Sequence, residues 1–124
     1  DCFPSSAFTK NVLPEEGTPA DNLKNVLDYI EIHYAQTISV EELAKICCFS
    51  EYHFMRFFKK HMNMTCVEYV NNVRLEKAVE LFEQGNTSIL EVSLSVGFHN
   101  LSYFHRAFKN KYGMTPRSFI KELK

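Results

Sequence analysis

The sequence predicts an all-α fold of about seven helices, and three observations carry that expectation. Glycine and proline are scarce, four of each in 124 residues, and stay largely outside the periodic stretches, which disfavours a turn-rich β fold. From Asp21 onward apolar residues recur at spacings of three and four, the period of one helix face. Ser or Thr followed three residues later by Glu, the pattern of a capping box, recurs at Ser39, Thr65 and Ser88.

Residues 1–20 hold Pro4, Ser5, Ser6, Pro14, Gly17, Thr18 and Pro19 without any period and read as a linker or tail. The domain is expected over residues 21–124. Leu23, Val26, Leu27, Ile30 and Tyr34 mark the apolar face of a first helix. Ser39 opens the second, with Val40, Leu43, Ala44 and Cys47 as its stripe. After a turn at Cys48-Phe49, Ser50 is placed to cap a third helix ending near His61, with Phe54, Phe57, Phe58 and His61 on one side. Thr65 opens a long helix that should run to about Gln84 and stop at Gly85. Ser88 starts a short helix closed by Gly97. Asn100 stands where a cap is needed for the next, which runs to Tyr112 with Gly113 as its stop. Thr115-Pro116 begins the last, with Pro in the first turn, where its missing N–H costs nothing.

These helices form two similar units around the long one. Val40 to Ser50 aligns with Ile89 to His99, and Phe54 to Val70 with Phe104 to Ile120, with one extra residue in the second turn. Glu42/Glu91, Phe49/Phe98, Phe54/Phe104, Arg56/Arg106, Phe58/Phe108, Lys59/Lys109, Met64/Met114 and Thr65/Thr115 coincide. Each copy sets an Arg, two aromatics and a Lys at the same spacing on a short helix after a turn, the layout of a helix-turn-helix recognition element. An internal repeat is stronger support for that layout than either copy alone.

A chain of this length can build one domain with a real core. With 45% apolar and 14% aromatic residues it is globular rather than disordered. The net charge of −1 weakly opposes a nucleic-acid partner, but charge is read locally, because screening limits it to about 10 Å. Residues 1–36 carry six acids against two Lys, whereas residues 98–124 carry six Lys or Arg against one Glu. The four cysteines, Cys2, Cys47, Cys48 and Cys66, fit no C-x-x-C pattern. No signal peptide or apolar run of membrane-spanning length is present, so a reduced cytoplasmic protein is expected. The chain begins at Asp1 rather than Met, and is read as a fragment that lacks its N-terminal part.

The second copy carries Val96-Gly97-Phe98, Ser102-Tyr103-Phe104, Arg106, Phe108-Lys109 and Gly113-Met114-Thr115-Pro116 with Phe119. On these residues the sequence resembles the DNA-binding domain of the AraC/XylS family of bacterial transcription regulators, from about Asn22 to the end. The resemblance implies two helix-turn-helix motifs joined by a linking helix, with recognition helices in successive major grooves of double-stranded DNA. One turn of DNA is about 34 Å, and a linking helix of about 20 residues spans roughly 30 Å. It also implies an effector-binding or dimerisation domain elsewhere in the full protein, and contact with RNA polymerase in an activator. No cofactor is expected.

On the first recognition helix the DNA-facing candidates are Glu51, Tyr52, Met55, Arg56 and Lys59. On the second they are Asn100, Leu101, Ser102, His105, Arg106 and Lys109. An Arg forks onto guanine O6 and N7, which contributes about 1–3 kcal/mol of discrimination. Met55 and Tyr52 offer apolar contact, and a Lys meets phosphate, which positions without specifying. Other roles stay open at this point: intramolecular ion pairs for Arg56 and Arg106, a helix cap or a phosphate contact for Asn100, core packing rather than base stacking for Tyr103, Phe104 and Phe108, and a solvated face or phosphate contact for Lys111, Arg117, Lys121 and Lys124.

The first copy departs from the family pattern. Asn63 and Cys66 replace Gly113 and Pro116, and Cys48 stands in place of Gly97. Asn tolerates a left-handed backbone, and Cys is less comfortable there, so a different first turn is expected if that position needs positive φ. A metal site would need His53 and His61, or Cys47 and Cys48 with a His, none at ligand spacing. Redox sensing at Cys47 or Cys48 has only Lys45 nearby in sequence to activate it. No nucleophile elbow, phosphate loop or paired-carboxylate motif marks an enzyme. The alternative to a DNA-binding domain is a helical protein–protein interaction module, which salt dependence would distinguish.

Overall fold

Side chains that can satisfy the unpaired amides of a helix start decide where these helices begin. The computed structural model describes residues Thr18–Leu123. Among them are seven α-helices and no strand: α1 (Pro19–His33), α2 (Val40–Ile46), α3 (Glu51–Met62), α4 (Cys66–Glu83), α5 (Ile89–Ser95), α6 (Leu101–Tyr112) and α7 (Pro116–Leu123). The all-α class and the helix order are those the sequence predicts. Most of the expected tail, residues 1–17, lies outside the described residues, as do Cys2 and Lys124.

The first helix begins two residues before Asp21. Thr18 Oγ1 accepts from the Asp21 amide at 3.0 Å, and Pro19 takes the first helical position, where it has no N–H to lose. At α2 both halves of the capping box form: Ser39 Oγ accepts from the Glu42 amide at 3.1 Å, and Glu42 accepts from the Ser39 amide at 2.8 Å. That backbone bond, joined by one from the Tyr29 hydroxyl, holds the Glu42 carboxyl below the usual carboxylate range. At α5 only half of the expected box forms. Ser88 caps the Glu91 amide at 3.2 Å, while the Ser88 amide goes to Asn86 Oδ1 at 3.1 Å. Asn86 is closer along the chain and meets the need that Glu91 was expected to meet.

The chain divides into two units. The first holds α1, α2 and α3, and buries Val26, Ile30, Leu43, Ala44, Cys47, Phe54, Phe57 and Phe58. Cys47 is a core residue, with Sγ 3.8 Å from the Asn22 carbonyl, and burial pushes its thiol up to about 12.

The second unit takes Tyr34–Thr37 and everything from Val67 onward. Its core is Leu75, Ala78 and Phe82 of α4, Val92 of α5, Val96 and Phe98 of the turn, and Phe104 and Phe108 of α6, with Phe119 and Ile120 of α7 packed against them. Arg74 of α4 ties the Tyr34–Gln36 segment into this unit. Its Nε donates to the Tyr34 carbonyl at 2.6 Å and its Nη2 to the Gln36 carbonyl at 2.9 Å. Gly97 lies against that pair at φ 107°, and a β-carbon there would stand 2.8 Å from both Arg74 Nε and the Tyr34 oxygen.

The second turn is one residue longer, with Asn100 three residues after Gly97 and Ser50 two after Cys48, but Cys48 does not force a different backbone on the first. Cys48 takes φ 60° where Gly97 takes 107°. Phe49 N–H reaches the Ala44 carbonyl at 3.0 Å, and Phe98 N–H the Ser93 carbonyl at 2.9 Å. Cys48 and Gly97 likewise donate to Lys45 and Leu94, both at 3.1 Å. A left-handed non-glycine residue costs roughly 1–2 kcal/mol. The turn's backbone bonds and the packing of Phe49 on Phe57 at 5.2 Å offset that cost. The Cys48 side chain itself is exposed.

Candidate nucleic-acid interface

Two twelve-residue helices, α3 and α6, are built alike from end to end. Ser50 caps α3 by accepting from the His53 amide at 3.1 Å, and Asn100 caps α6 by accepting from the Tyr103 amide at 2.9 Å. Both end on a left-handed residue, Asn63 at φ 60° and Gly113 at φ 78°. The amides of these residues return to Lys59 at 2.9 Å and to Lys109 at 2.8 Å. Asn63 thus does what the sequence assigns it, because its short polar side chain tolerates this conformation.

The inner faces also match. Phe54 and Phe58 are fully buried with ring centres 5.8 Å apart, and so are Phe104 and Phe108, at the same distance. Truncating such a ring costs about 3–5 kcal/mol, so these faces hold the helices in place and are closed to a ligand. Phe104 and Phe108 are core residues.

What remains outside is the candidate set. Glu51, Tyr52, Met55, Arg56 and Lys59 are exposed on α3, and Leu101, Ser102, Arg106 and Lys109 on α6, with Asn100 exposed at its cap. His105 is only half-buried and turns edge-on to Phe104, ring centres 6.2 Å apart. It is the least available member of the set. Asn100 has its side-chain oxygen committed to the helix start.

Each arginine rests beside a tyrosine. Arg56 Nη1 donates to the Tyr52 hydroxyl at 3.3 Å, with the guanidinium 5.6 Å from the ring centre. The Arg106 guanidinium stands 5.8 Å from the Tyr103 ring centre. Such contacts leave the guanidinium donors largely unused. Among the described residues neither arginine pairs with a carboxylate.

Lys111 is different: it lies 3.8 Å from Glu76, its side chain only 25% exposed. The residue as a whole remains exposed, as do Arg117 and Lys121 on α7, but its ammonium is turned toward Glu76. His53 and His61 are packed on Phe49 and Phe57, with ring centres 3.9 and 4.7 Å apart. No three of the described His, Cys, Asp and Glu residues gather as metal ligands. No described helix is long and apolar enough to cross a membrane.

Sequence reasoning passed over Asn71 and Arg74 on α4. Their partners lie 32 and 38–40 residues away, so no local spacing announces them.

A family model described as a helix-turn-helix domain matches residues 43–122, which take in both motifs and the helix between them. The chain belongs to the AraC/XylS family. Among its AraC/XylS relatives is the transcriptional regulator YdeC of Bacillus subtilis, 35% identical over 99 residues, which are 80% of this chain and 34% of YdeC. The bifunctional transcriptional activator and DNA repair enzyme AdaA of the same organism is 38% identical over 94 residues, 76% of this chain and 44% of AdaA. The chain therefore spans a third to under a half of the length of these relatives. The same fold is seen in the DNA-binding domain of AdpA, solved in complex with a target DNA. That structure has a TM-score of 0.76 at 23% identity, over 82% of this chain and 91% of that one.

Proposed function

We propose that this chain is the sequence-specific, double-stranded-DNA-binding part of a bacterial transcription regulator. α3 and α6 serve as recognition helices and engage successive major grooves. One observation carries the reading: the same capped helix occurs twice, each with two buried phenylalanines inside and an exposed, tyrosine-backed arginine outside. Family membership supports it, and so do the regulators among the relatives.

In this reading Arg56 and Arg106 contact base edges, where bidentate guanidinium geometry discriminates best. Met55, Tyr52 and Leu101 supply apolar contact, Ser102 and Glu51 polar contact, and Lys59 and Lys109 meet phosphates. His105 and Asn100 stand at the margin of the surface. The full protein acts in the cytoplasm through a further effector or dimerisation domain, and touches RNA polymerase where it activates. The relatives' greater length supports a further domain.

A salt titration tests the DNA partner. Affinity for duplexes selected by the protein from a random-sequence library should fall by orders of magnitude between about 50 and 200 mM salt, through counterion release. A salt-insensitive affinity, or selection that enriches no sequence, would instead point to a helical protein-interaction module.

A further inference from the structure

The two tyrosine-backed arginines are supported in different ways. In the first copy the Tyr52 hydroxyl accepts from Arg56 itself, and the tyrosine is 67% exposed. In the second copy the tyrosine comes from a different helix position, three residues before Arg106 rather than four. Its hydroxyl accepts from Asn71 Nδ2 of α4 at 2.6 Å. The Tyr103 ring also lies 6.0 Å from the ring of buried Phe98. Tyr103 is thus fixed at its tip by α4 and along its side by the turn, while 40% of it stays exposed beside Arg106.

We propose that Asn71 is a positioning residue for base recognition: by tethering Tyr103 it presets Arg106 toward the base edge it reads. The proposal rests on the reading above, in which Arg106 contacts a base. An exposed arginine loses much rotamer freedom on binding, and a side chain already held in its bound geometry loses less. A ring beneath the guanidinium supplies that hold only if the ring is itself fixed. Asn71 supplies the fixing from outside the recognition helix. Among the described residues Arg56 has no such external tether, since its supporting hydroxyl is bonded to the arginine it supports. The second motif is therefore the preorganised reader of the pair, and the first is the adaptable one.

The test uses the whole chain with a duplex selected by the wild-type protein from a random library, and the same duplex shuffled. Tyr103→Phe keeps the ring and removes the tethered hydroxyl, and Asn71→Leu removes the donor at similar volume. Each should lower the ratio of selected to shuffled affinity by about threefold to tenfold, with the shuffled duplex bound as before. The double variant should be no worse than either single one, and Asn71→Leu should add nothing once Arg106→Ala is present. Effects that multiply in the double variant, or that weaken both duplexes alike, overturn the proposal. So does a ratio that Tyr103→Phe leaves unchanged, whatever the folding of the Asn71 variant. If Arg106→Ala leaves the ratio intact, base reading by Arg106 fails and the proposal falls with it. If Arg106→Ala abolishes the ratio while Tyr103→Phe and Asn71→Leu preserve it, the positioning role alone is wrong.

Discussion

Cys48 and Gly97 occupy the same place in their two turns, at φ 60° and 107°, although only one of them has a β-carbon. The cost of that difference can be recovered. Cys48→Gly should relieve roughly 1–2 kcal/mol of left-handed strain, offset by about 0.5–1 kcal/mol of added unfolded-chain entropy. A net gain of about 0.5–1 kcal/mol should appear as a raised denaturation midpoint. The reverse change is costlier. Gly97→Ala would push a β-carbon to 2.8 Å from the Tyr34 carbonyl, a backbone atom that cannot swing aside. A loss of about 2–4 kcal/mol is expected from strain and overpacking together. Equal effects at the two sites would contradict the difference in their surroundings.

Arg74 answers two carbonyls at once, Tyr34 at 2.6 Å and Gln36 at 2.9 Å, from a half-buried position beside Phe98. Burial pulls its pKa down from the ordinary value, but an arginine stays charged across the working range. Arg74→Met should cost about 2–3 kcal/mol by leaving charge-assisted bonds unmade. Arg74→Lys should recover little, because an ammonium lacks the planar fork that spans both carbonyls. Hydrogen exchange at the amides around Tyr34–Gln36 should rise first. Unaltered exchange there would remove the clamp from the account.

These particulars show how much of the molecule its sequence makes legible. Ser39, Ser50, Asn100, Asn63 and Gly113 act within four residues of where they stand, so capping rules find them. The paired phenylalanines repeat at a fixed spacing, so the inner faces are found too. The exposed set on α3 and α6 is what those inner faces leave over. Thr18-Pro19 is hidden because a helix start and a Pro-rich tail use the same residues. Cys48 is misjudged because intrinsic preference yields to a turn whose bonds are already made. Asn71, Arg74 and Lys111 escape because each meets a partner more than 30 residues away, a distance only the fold closes.

Alkaline pH should weaken the fold, most of all through Cys47 and Tyr112. Burial raises the Cys47 thiol from about 9 to about 12, and raises Tyr112 from about 10 to about 12, with the Glu76 and Glu83 charges adding to the effect. Both acids ionise more readily in the unfolded chain. Their contribution is therefore complete below pH 9 and is lost as pH rises toward 12. Cys47→Ala and Tyr112→Phe should each flatten the alkaline limb of a stability–pH curve. The same burial makes a labelling prediction. A thiol alkylator at neutral pH should modify exposed Cys48 in the native protein and reach Cys47 only on unfolding. Equal rates would place Cys47 outside the core.

Lysine and arginine variants on the recognition helices should fail in different ways. Lys59 and Lys109 are exposed at corresponding positions near the ends of α3 and α6, and their own backbone carbonyls accept the terminal amides of Asn63 and Gly113. In the proposed role each neutralises a phosphate. Replacing either with Ala should therefore weaken selected and shuffled duplexes alike, and lower the slope of log affinity against log salt by about 0.9. Arg56→Ala and Arg106→Ala should instead cost about 1–3 kcal/mol on the selected duplex and much less on the shuffled one. The loss should be confined to the base pairs each arginine reads, so a footprint with single base-pair substitutions locates both contacts. Two protected patches one helical turn apart, each sensitive to one arginine, would match dual engagement of the major groove. A single patch sensitive to Arg106 alone would leave α3 without a base to read.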